Sequence, residues 1–189
     1  NDLEAAFRTR LFEPLGMREA AIRPRDGVVW PQGHTPDGRP VPAWTIAANL
    51  AGVGMVRASL DDMVKYLQAQ MGTVSTPLAG RIARTQQPVA AGFGMNWMLP
   101  AVQGRSLVLH EGGTGGFSSL VAFDPAARKG VVMLADPALA DLGGLGDAAL
   151  PLLVSLPMGT PRRALPTPPD LLEALPGEYE LPAVNLRLR

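Results

Sequence analysis

The sequence has no cysteine, only two histidines and no long run of like charges. Without cysteine there is no disulfide and no thiolate ligand, and two distant histidines do not suggest a metal site. The 17 basic and 17 acidic residues give a formal net charge of zero, which argues against nucleic acid or an anionic membrane surface as a partner. The apolar stretch 139–156 contains Asp141, Asp147 and Pro151, so it predicts a helix within a globular domain rather than a membrane span.

The whole chain is long enough and apolar enough to bury one core. In its first half, the apolar spacing predicts helices. Asp2 is placed to cap a helix that Pro14 and Gly16 end. Ser59 is placed to cap a second helix that Gly72 ends, and a short third helix follows Thr76. The inward stripe of the second helix is predicted to be Leu60, Met63, Val64, Leu67 and Met71.

The pattern changes to alternating strands in the second half. The predicted strands are Val28–Trp30, Gly92–Leu99, Leu107–Leu109, Leu120–Phe123 and Gly130–Ala135, of which the last three form an antiparallel meander. A helix over 139–155 is expected to pack across this sheet. The predicted domains are residues 1–156, a proline-rich linker 157–169, and residues 170–189, whose tail from Leu175 alternates like the start of an appended β domain.

A glycine-rich turn led by a histidine separates two strands of the meander. It reads His110-Glu111-Gly112-Gly113-Thr114-Gly115-Gly116-Phe117. Glycine allows a ligand to approach the backbone closely, and acyl transfer needs backbone N–H donors for the developing oxyanion. A dinucleotide-binding loop is excluded, because a strand rather than a helix follows and the last glycine of that motif is replaced by Ser118.

Four segments, in the same order, resemble the class C-type serine β-lactamases, penicillin-binding-protein-like hydrolases and related esterases. The first is F-x-P-L-G-M at 12–17, the second is the loop 33–40, and the third is A-G-V-G-M with S-L-D-D-M at 51–63. The fourth, H-x-G-G-T-x-G-F-S-S at 110–119, resembles the third active-site motif of that family. The resemblance implies an α/β (α+β) fold of the β-lactamase/transpeptidase type, with a partial antiparallel sheet flanked by helices. It also implies that the parent protein is periplasmic or secreted.

The resemblance also assigns roles within the glycine-rich turn. His110 takes the place of the family's lysine, and Gly113 matches the residue whose N–H is half of the oxyanion hole. Gly112, Glu111 and Thr114 are the matching substrate-binding positions. Each has a plainer interpretation: His110 as a strand-end histidine, Gly113 as a turn residue, and Glu111 as a solvated carboxylate.

Other polar and aromatic residues are assigned mainly structural roles. Asp61 and Asp62 suit the first turn of the Ser59 helix, where carboxylates complement the helix dipole. His34 is expected to be a loop residue. Trp30 and Trp44 either line a substrate cleft or pack within the loops.

Two family motifs are missing, since no S-x-x-K and no Y-x-N occurs in the sequence. We therefore expect the C-terminal part of a serine hydrolase, incomplete on its N-terminal side and inactive alone. Its partners would be a small-molecule or peptide substrate, the missing N-terminal half, and further copies of itself. No cofactor is implied. The alternative is a non-catalytic binding module on the same scaffold.

Overall fold

The computed structural model describes residues 2–47, 50–137, 144–157, 168–174, 179–181 and 186–188. The chain divides into two compact units, Asn1–Gly159 and Thr160–Arg189. The described helices of the first unit are Leu3–Phe7 (α1), Glu13–Leu15 (α2), Leu60–Gln70 (α3), Ala79–Thr85 (α4) and Gly146–Val154 (α5). Its described strands are Gly33–His34 (β1), Pro40–Val41 (β2), Ala101–Val102 (β3), Arg105–Ser106 (β4), Val108–Thr114 (β5), Phe117–Asp124 (β6) and Lys129–Ala135 (β7).

The second unit contains a helix, Pro169–Ala174 (α6), and two strands, Tyr179–Leu181 (β8) and Leu186–Leu188 (β9). The two strands pair antiparallel. Most of the predicted linker lies outside the described residues. No described helix is long and apolar enough to cross a membrane.

The N-terminal helix begins at Asp2, as predicted, with the carboxylate accepting a hydrogen bond from the Glu4 N–H. A π-helical turn, Arg8–Phe12, then joins α1 to α2. Pro14 lies inside α2, where proline fits a first turn, and Gly16 ends the helix in the left-handed conformation with φ +69°.

Helix α3 begins at the predicted cap, because the Ser59 side chain accepts from the Asp62 N–H. The predicted inward stripe is partly wrong, since Leu60 and Val64 are exposed while Asp62 is 1% exposed. The Asp62 carboxylate accepts from the backbone N–H groups of Arg18, Glu19 and Ala20 and from the Lys65 ammonium. Because four donors bond to this carboxylate, Asp62 lies on the buried face of α3 with Leu67, Ala69 and Gln70.

The same donors perturb the titration of Asp62. Burial alone would raise the pKa of this carboxyl, but the hydrogen bonds from Lys65 and from the backbone N–H groups hold the pKa below its ordinary value. The ionised Asp62 carboxylate therefore connects residues 18–20, which follow α2, to the first turn of α3.

The central sheet is the predicted meander, with strand order β5-β6-β7 and antiparallel pairing throughout. The predicted extent of the glycine-rich turn is wrong, because β5 continues through Thr114 and β6 begins at Phe117, which leaves only Gly115 and Gly116 outside the strands. Helix α5 packs on one face. The buried residues between α5 and the sheet are Leu107, Leu109, Leu120, Ala122, Leu145, Ala149 and Leu153. The start of the predicted 139–155 helix falls on residues 138–143, outside the described part.

Helix α3 packs near the other face, at the end of the sheet away from the glycine-rich turn. The buried residues there are Leu67, Trp97, Val108, Val121 and Phe123. Trp97 meets Phe123 edge-on at 5.8 Å and stacks on Tyr66 at 6.5 Å between ring centroids. Burial raises the pKa of Tyr66 to about 12, opposed by its hydrogen bond with Gln70.

Two predicted strands are wrong. Residues 28–30 are irregular, and Val29 is 95% exposed, so no neighbouring strand covers that apolar run. The segment 92–99 makes only isolated bridges at Phe93 and Met98, because Gly92 and Asn96 take positive φ and bend the chain twice.

Candidate functional site

The outer edge of β5 is paired for only part of its length. Leu109 exchanges both backbone hydrogen bonds with Met98, at 2.9 and 3.0 Å, on the side of β5 away from β6. The register between β5 and β6 is one-to-one, so backbone direction alternates strictly from residue to residue. The N–H groups of Glu111 and Gly113 therefore point to the same outer edge as the Leu109 N–H. Both lie further along β5 than the residue that Met98 pairs with.

His110 projects from the sheet face that it shares with Val108. It is exposed and lies opposite Val121. Gly112, the next residue on that face, has no side chain, and nothing lies within 4 Å of where its Cβ would be. The surface between the imidazole and Thr114 is consequently open.

Glu111 points to the opposite face, which is covered by α5. Its Oε2 lies 2.8 Å from the position that a Cβ on Gly144 would occupy and 3.6 Å from the same position on Gly146. The carboxylate thus lies beside the first turn of α5, where the helix dipole favours negative charge. Although His110 and Glu111 are adjacent in sequence, their side chains project from opposite faces of the sheet.

The glycine-rich turn is held by the loop that contains β1 and β2. Gly116 has φ +78°, and its carbonyl accepts from the His34 N–H at 3.1 Å. A Cβ on Gly116 would lie 2.6 Å from Gly33 backbone atoms, and one on Gly115 would lie 2.8 Å from Trp44 Nε1. Gly115 and Gly116 are therefore required by the close approach of the protein's own loop, whereas the sequence suggested the approach of a ligand.

His34 also joins two distant parts of the first unit. Its Nδ1 lies 3.1 Å from the Asp136 carbonyl oxygen, just beyond the end of β7. The sequence predicted a plain loop residue, and no local pattern at position 34 reveals a contact made 102 residues away.

The two loop tryptophans differ in their surroundings. Trp44 is 55% exposed and lies against the glycine-rich turn. Trp30 instead lies under the Arg57 guanidinium, 5.9 Å from the ring centroid, and no described residue accepts from its buried Nε1. Only Trp44 borders the candidate site.

The serines near the site are engaged in structure. Ser59 Oγ caps α3, and Ser118 is 6% exposed in β6. Ser59 therefore serves as a helix cap, and Ser118, which lies opposite Gly113, projects from the sheet face away from His110. Among the described residues, no group of three or more His, Asp or Glu side chains is arranged to hold a metal ion.

Together these residues make up the candidate site: an exposed imidazole, an open stretch of sheet face, and backbone N–H groups at a strand edge where no described residue accepts from them. Such an edge can donate to an oxyanion. A model of the beta-lactamase family matches residues 1–139.

Solved structures and one curated protein agree with that match. The D-alanine carboxypeptidase AmpC from Burkholderia cenocepacia superimposes with a TM-score of 0.73 at 27% identity, over 82% of this chain and 56% of that one. A class C beta lactamase from Rhodobacter sphaeroides gives 0.63 at 20% identity, over 71% of this chain and 49% of that one. The unguisins hydrolase ungD of Aspergillus violaceofuscus is 24% identical over 71% of this chain and 30% of its own length. The chain thus spans about half of these solved structures and less than a third of the curated relative.

Proposed function

The chain belongs to the beta-lactamase family, and from that premise we propose that it forms one wall of a serine-hydrolase site that cleaves an ester, amide or β-lactam carbonyl. The observation that carries this proposal is the Gly113 N–H at the outer edge of β5, from which no described residue accepts and which lies three residues along the strand from the exposed His110. Acyl transfer depends on such preorganised donors, because negative charge develops on the carbonyl oxygen in the transition state.

In the proposed reaction, a serine hydroxyl from another part of the protein attacks the carbonyl carbon, and its proton passes to a base that also lies outside this chain. The carbonyl oxygen becomes an oxyanion between the Gly113 N–H and the N–H of that serine. The leaving group departs with a proton and leaves an acyl-enzyme, which water then hydrolyses.

The remaining residues of the turn then have distinct roles. His110 polarises the site from the sheet face and helps to position the substrate. Gly112 leaves room for it, and Thr114 borders it. Glu111 would influence the substrate from the far side of the strand, through its charge beside α5 rather than by direct contact.

We propose that the 189-residue chain alone does not turn over substrate. Ser59 is committed to a helix cap and Ser118 is buried, so neither offers a free, activated hydroxyl. The purified chain should neither hydrolyse a chromogenic cephalosporin or a nitrophenyl ester nor gain an acyl mass. An acyl adduct on Ser59, Ser118 or Ser119 would overturn this assignment.

The oxyanion role is tested by Gly113→Pro in the protein expressed from its complete reading frame. Proline removes the N–H, and loss of one such donor costs roughly 10²–10³ in kcat. The matched control is Gly80→Ala in α4, outside the candidate site, which keeps its N–H and meets no atom within 4 Å. If both variants fold by circular dichroism and acylate equally fast, Gly113 is only a turn residue.

A non-catalytic interaction module on the same scaffold is the competing function. The codons upstream of Asn1 separate the two, because an S-x-x-K there supports the enzyme and its absence supports the module.

We also propose self-association of the isolated chain, since exposed edges and apolar side chains such as Val53, 76% exposed, recruit partners. Sedimentation over a range of concentrations measures it, and a strictly monomeric chain would contradict it.

A further inference from the structure

Trp44 is an exposed aromatic residue in a fixed place at the candidate site. Its indole lies against Gly115, where a Cβ would come within 2.8 Å of both Trp44 Nε1 and the Pro42 carbonyl oxygen. The indole can therefore reach this position only because residue 115 is glycine. Although it is held there, 55% of the residue remains exposed.

Gly115 follows Gly113 by two residues. Two residues span at most about 7 Å of backbone, so Gly115 and the indole against it lie close to the proposed oxyanion donor. A group attached to the scissile carbonyl would span that distance with a short aliphatic chain.

The neighbouring surface is apolar as well. Gly54 faces the Thr114 methyl group at 3.6 Å from its Cβ position, and Val53 beside it is 76% exposed. Trp44 therefore lies against Gly115, and the chain next to Val53 lies against Thr114 through Gly54.

The lysines and Glu111 lie away from this surface. Glu111 projects to the α5 face, Lys65 is bonded to Asp62, and Lys129 lies at the opposite end of the sheet, in register with Asp124. The exposed Arg39 of the β1–β2 loop is paired with Asp37 at 2.9 Å. The two lysines of the chain are therefore unable to neutralise a carboxylate held near Trp44.

We propose that Trp44 determines specificity by receiving the acyl group of the substrate, and that this group is uncharged and aliphatic or aromatic. The inference rests on the proposed function and deepens it by naming the substrate class. Trp44 is given no part in the chemical step. Its contribution is burial of apolar surface, which is worth roughly fourfold in kcat/KM per methylene group.

The test uses the protein expressed from its complete reading frame and a series of nitrophenyl esters, from acetate to butanoate, hexanoate and octanoate. The wild-type kcat/KM should rise with chain length. Trp44→Ala should lose about tenfold or more on octanoate and less than about twofold on acetate, while Trp44→Phe should keep most of the preference. Val89→Ala, an exposed apolar residue outside the turn, should keep the whole profile.

A nitrophenyl ester of glutarate, with a free carboxylate at its far end, tests the charge preference. It should react at least tenfold more slowly than the neutral ester of equal length. An unchanged length profile in Trp44→Ala, or a flat profile in an active wild type, would refute the role of Trp44. Equal rates for the charged and neutral esters would refute the substrate class. A wild-type protein inactive on every ester and on a cephalosporin would instead refute the proposed function.

Discussion

Gly116→Ala is the substitution that the structure predicts to damage the glycine-rich turn most. The residue has φ +78°, a conformation that alanine adopts only under strain. Its new Cβ would lie 2.6 Å from the Cα and carbonyl carbon of Gly33 and 2.7 Å from the His34 nitrogen. All three are backbone atoms, so no side-chain rotation relieves the clash.

The expected magnitude follows from two contributions. Left-handed backbone strain in a residue with a Cβ is about 1–2 kcal/mol, and overpacking a close contact adds about 1–3 kcal/mol. The total of about 2–5 kcal/mol is a large part of the 5–15 kcal/mol typical of a folded domain. For a chain of this size it should lower Tm by roughly 5–20 °C.

Gly112→Ala is the internal control, because it adds the same methyl group four residues away to an exposed strand position with nothing within 4 Å. It should be neutral or stabilising by up to about 1 kcal/mol, since alanine loses less entropy than glycine in a strand. The measurement is the free energy of unfolding in urea and the Tm of both variants and of the wild type. If the two differ by less than about 0.5 kcal/mol, the close packing of the turn against Gly33 is not as described.

Two further substitutions test the core. Asp62→Asn should lower the free energy of unfolding by about 2–4 kcal/mol at pH 7, measured in urea, because an amide cannot satisfy four donors. Since the folded pKa of Asp62 lies below its ordinary 3.8, its stabilisation is complete above that value and is lost as pH falls through the lowered pKa. Wild type and variant should therefore converge in acid, and an undiminished difference near pH ~2 would contradict a charge-based effect. Gly130→Ala should destabilise by about 1–3 kcal/mol, because its Cβ would lie 2.8 Å from Leu67 and 2.9 Å from Met71 Sδ. Met71→Ala should recover part of that loss in a double-mutant cycle, and strictly additive effects would rule out the contact.

The sequence predicted the features that depend on local pattern. The caps at Asp2 and Ser59, and the three strands of the meander, were predicted from side-chain chemistry and period, and the structure confirms them. The fold class was also predicted correctly, through the resemblance of four segments to the family.

The wrong predictions concern residues whose structure depends on contacts, or missing contacts, with residues distant in sequence. Asp62 is buried because N–H groups of residues 18–20 converge on it, and apolar spacing carries no information about them. The apolar run 28–30 lacks a neighbour and so forms no strand. Within the candidate site, the motif identified the candidate residues, but only the strand register reveals that Glu111 faces away from His110.

The attachment of the β1–β2 loop to the sheet has a consequence for the order of folding. His34 meets Asp136 across 102 residues, whereas β5 and β6 are joined by a turn of two residues. Because of lost chain entropy, closing the longer loop costs about 3 kcal/mol more free energy than closing the two-residue turn. We expect the meander to form early and the loop that carries Trp44 to join it after the rate-limiting step. Substitutions at Gly33 or Gly116 should then accelerate unfolding and leave the refolding rate nearly unchanged. The candidate site would be the last part of the unit to assemble and the first to open.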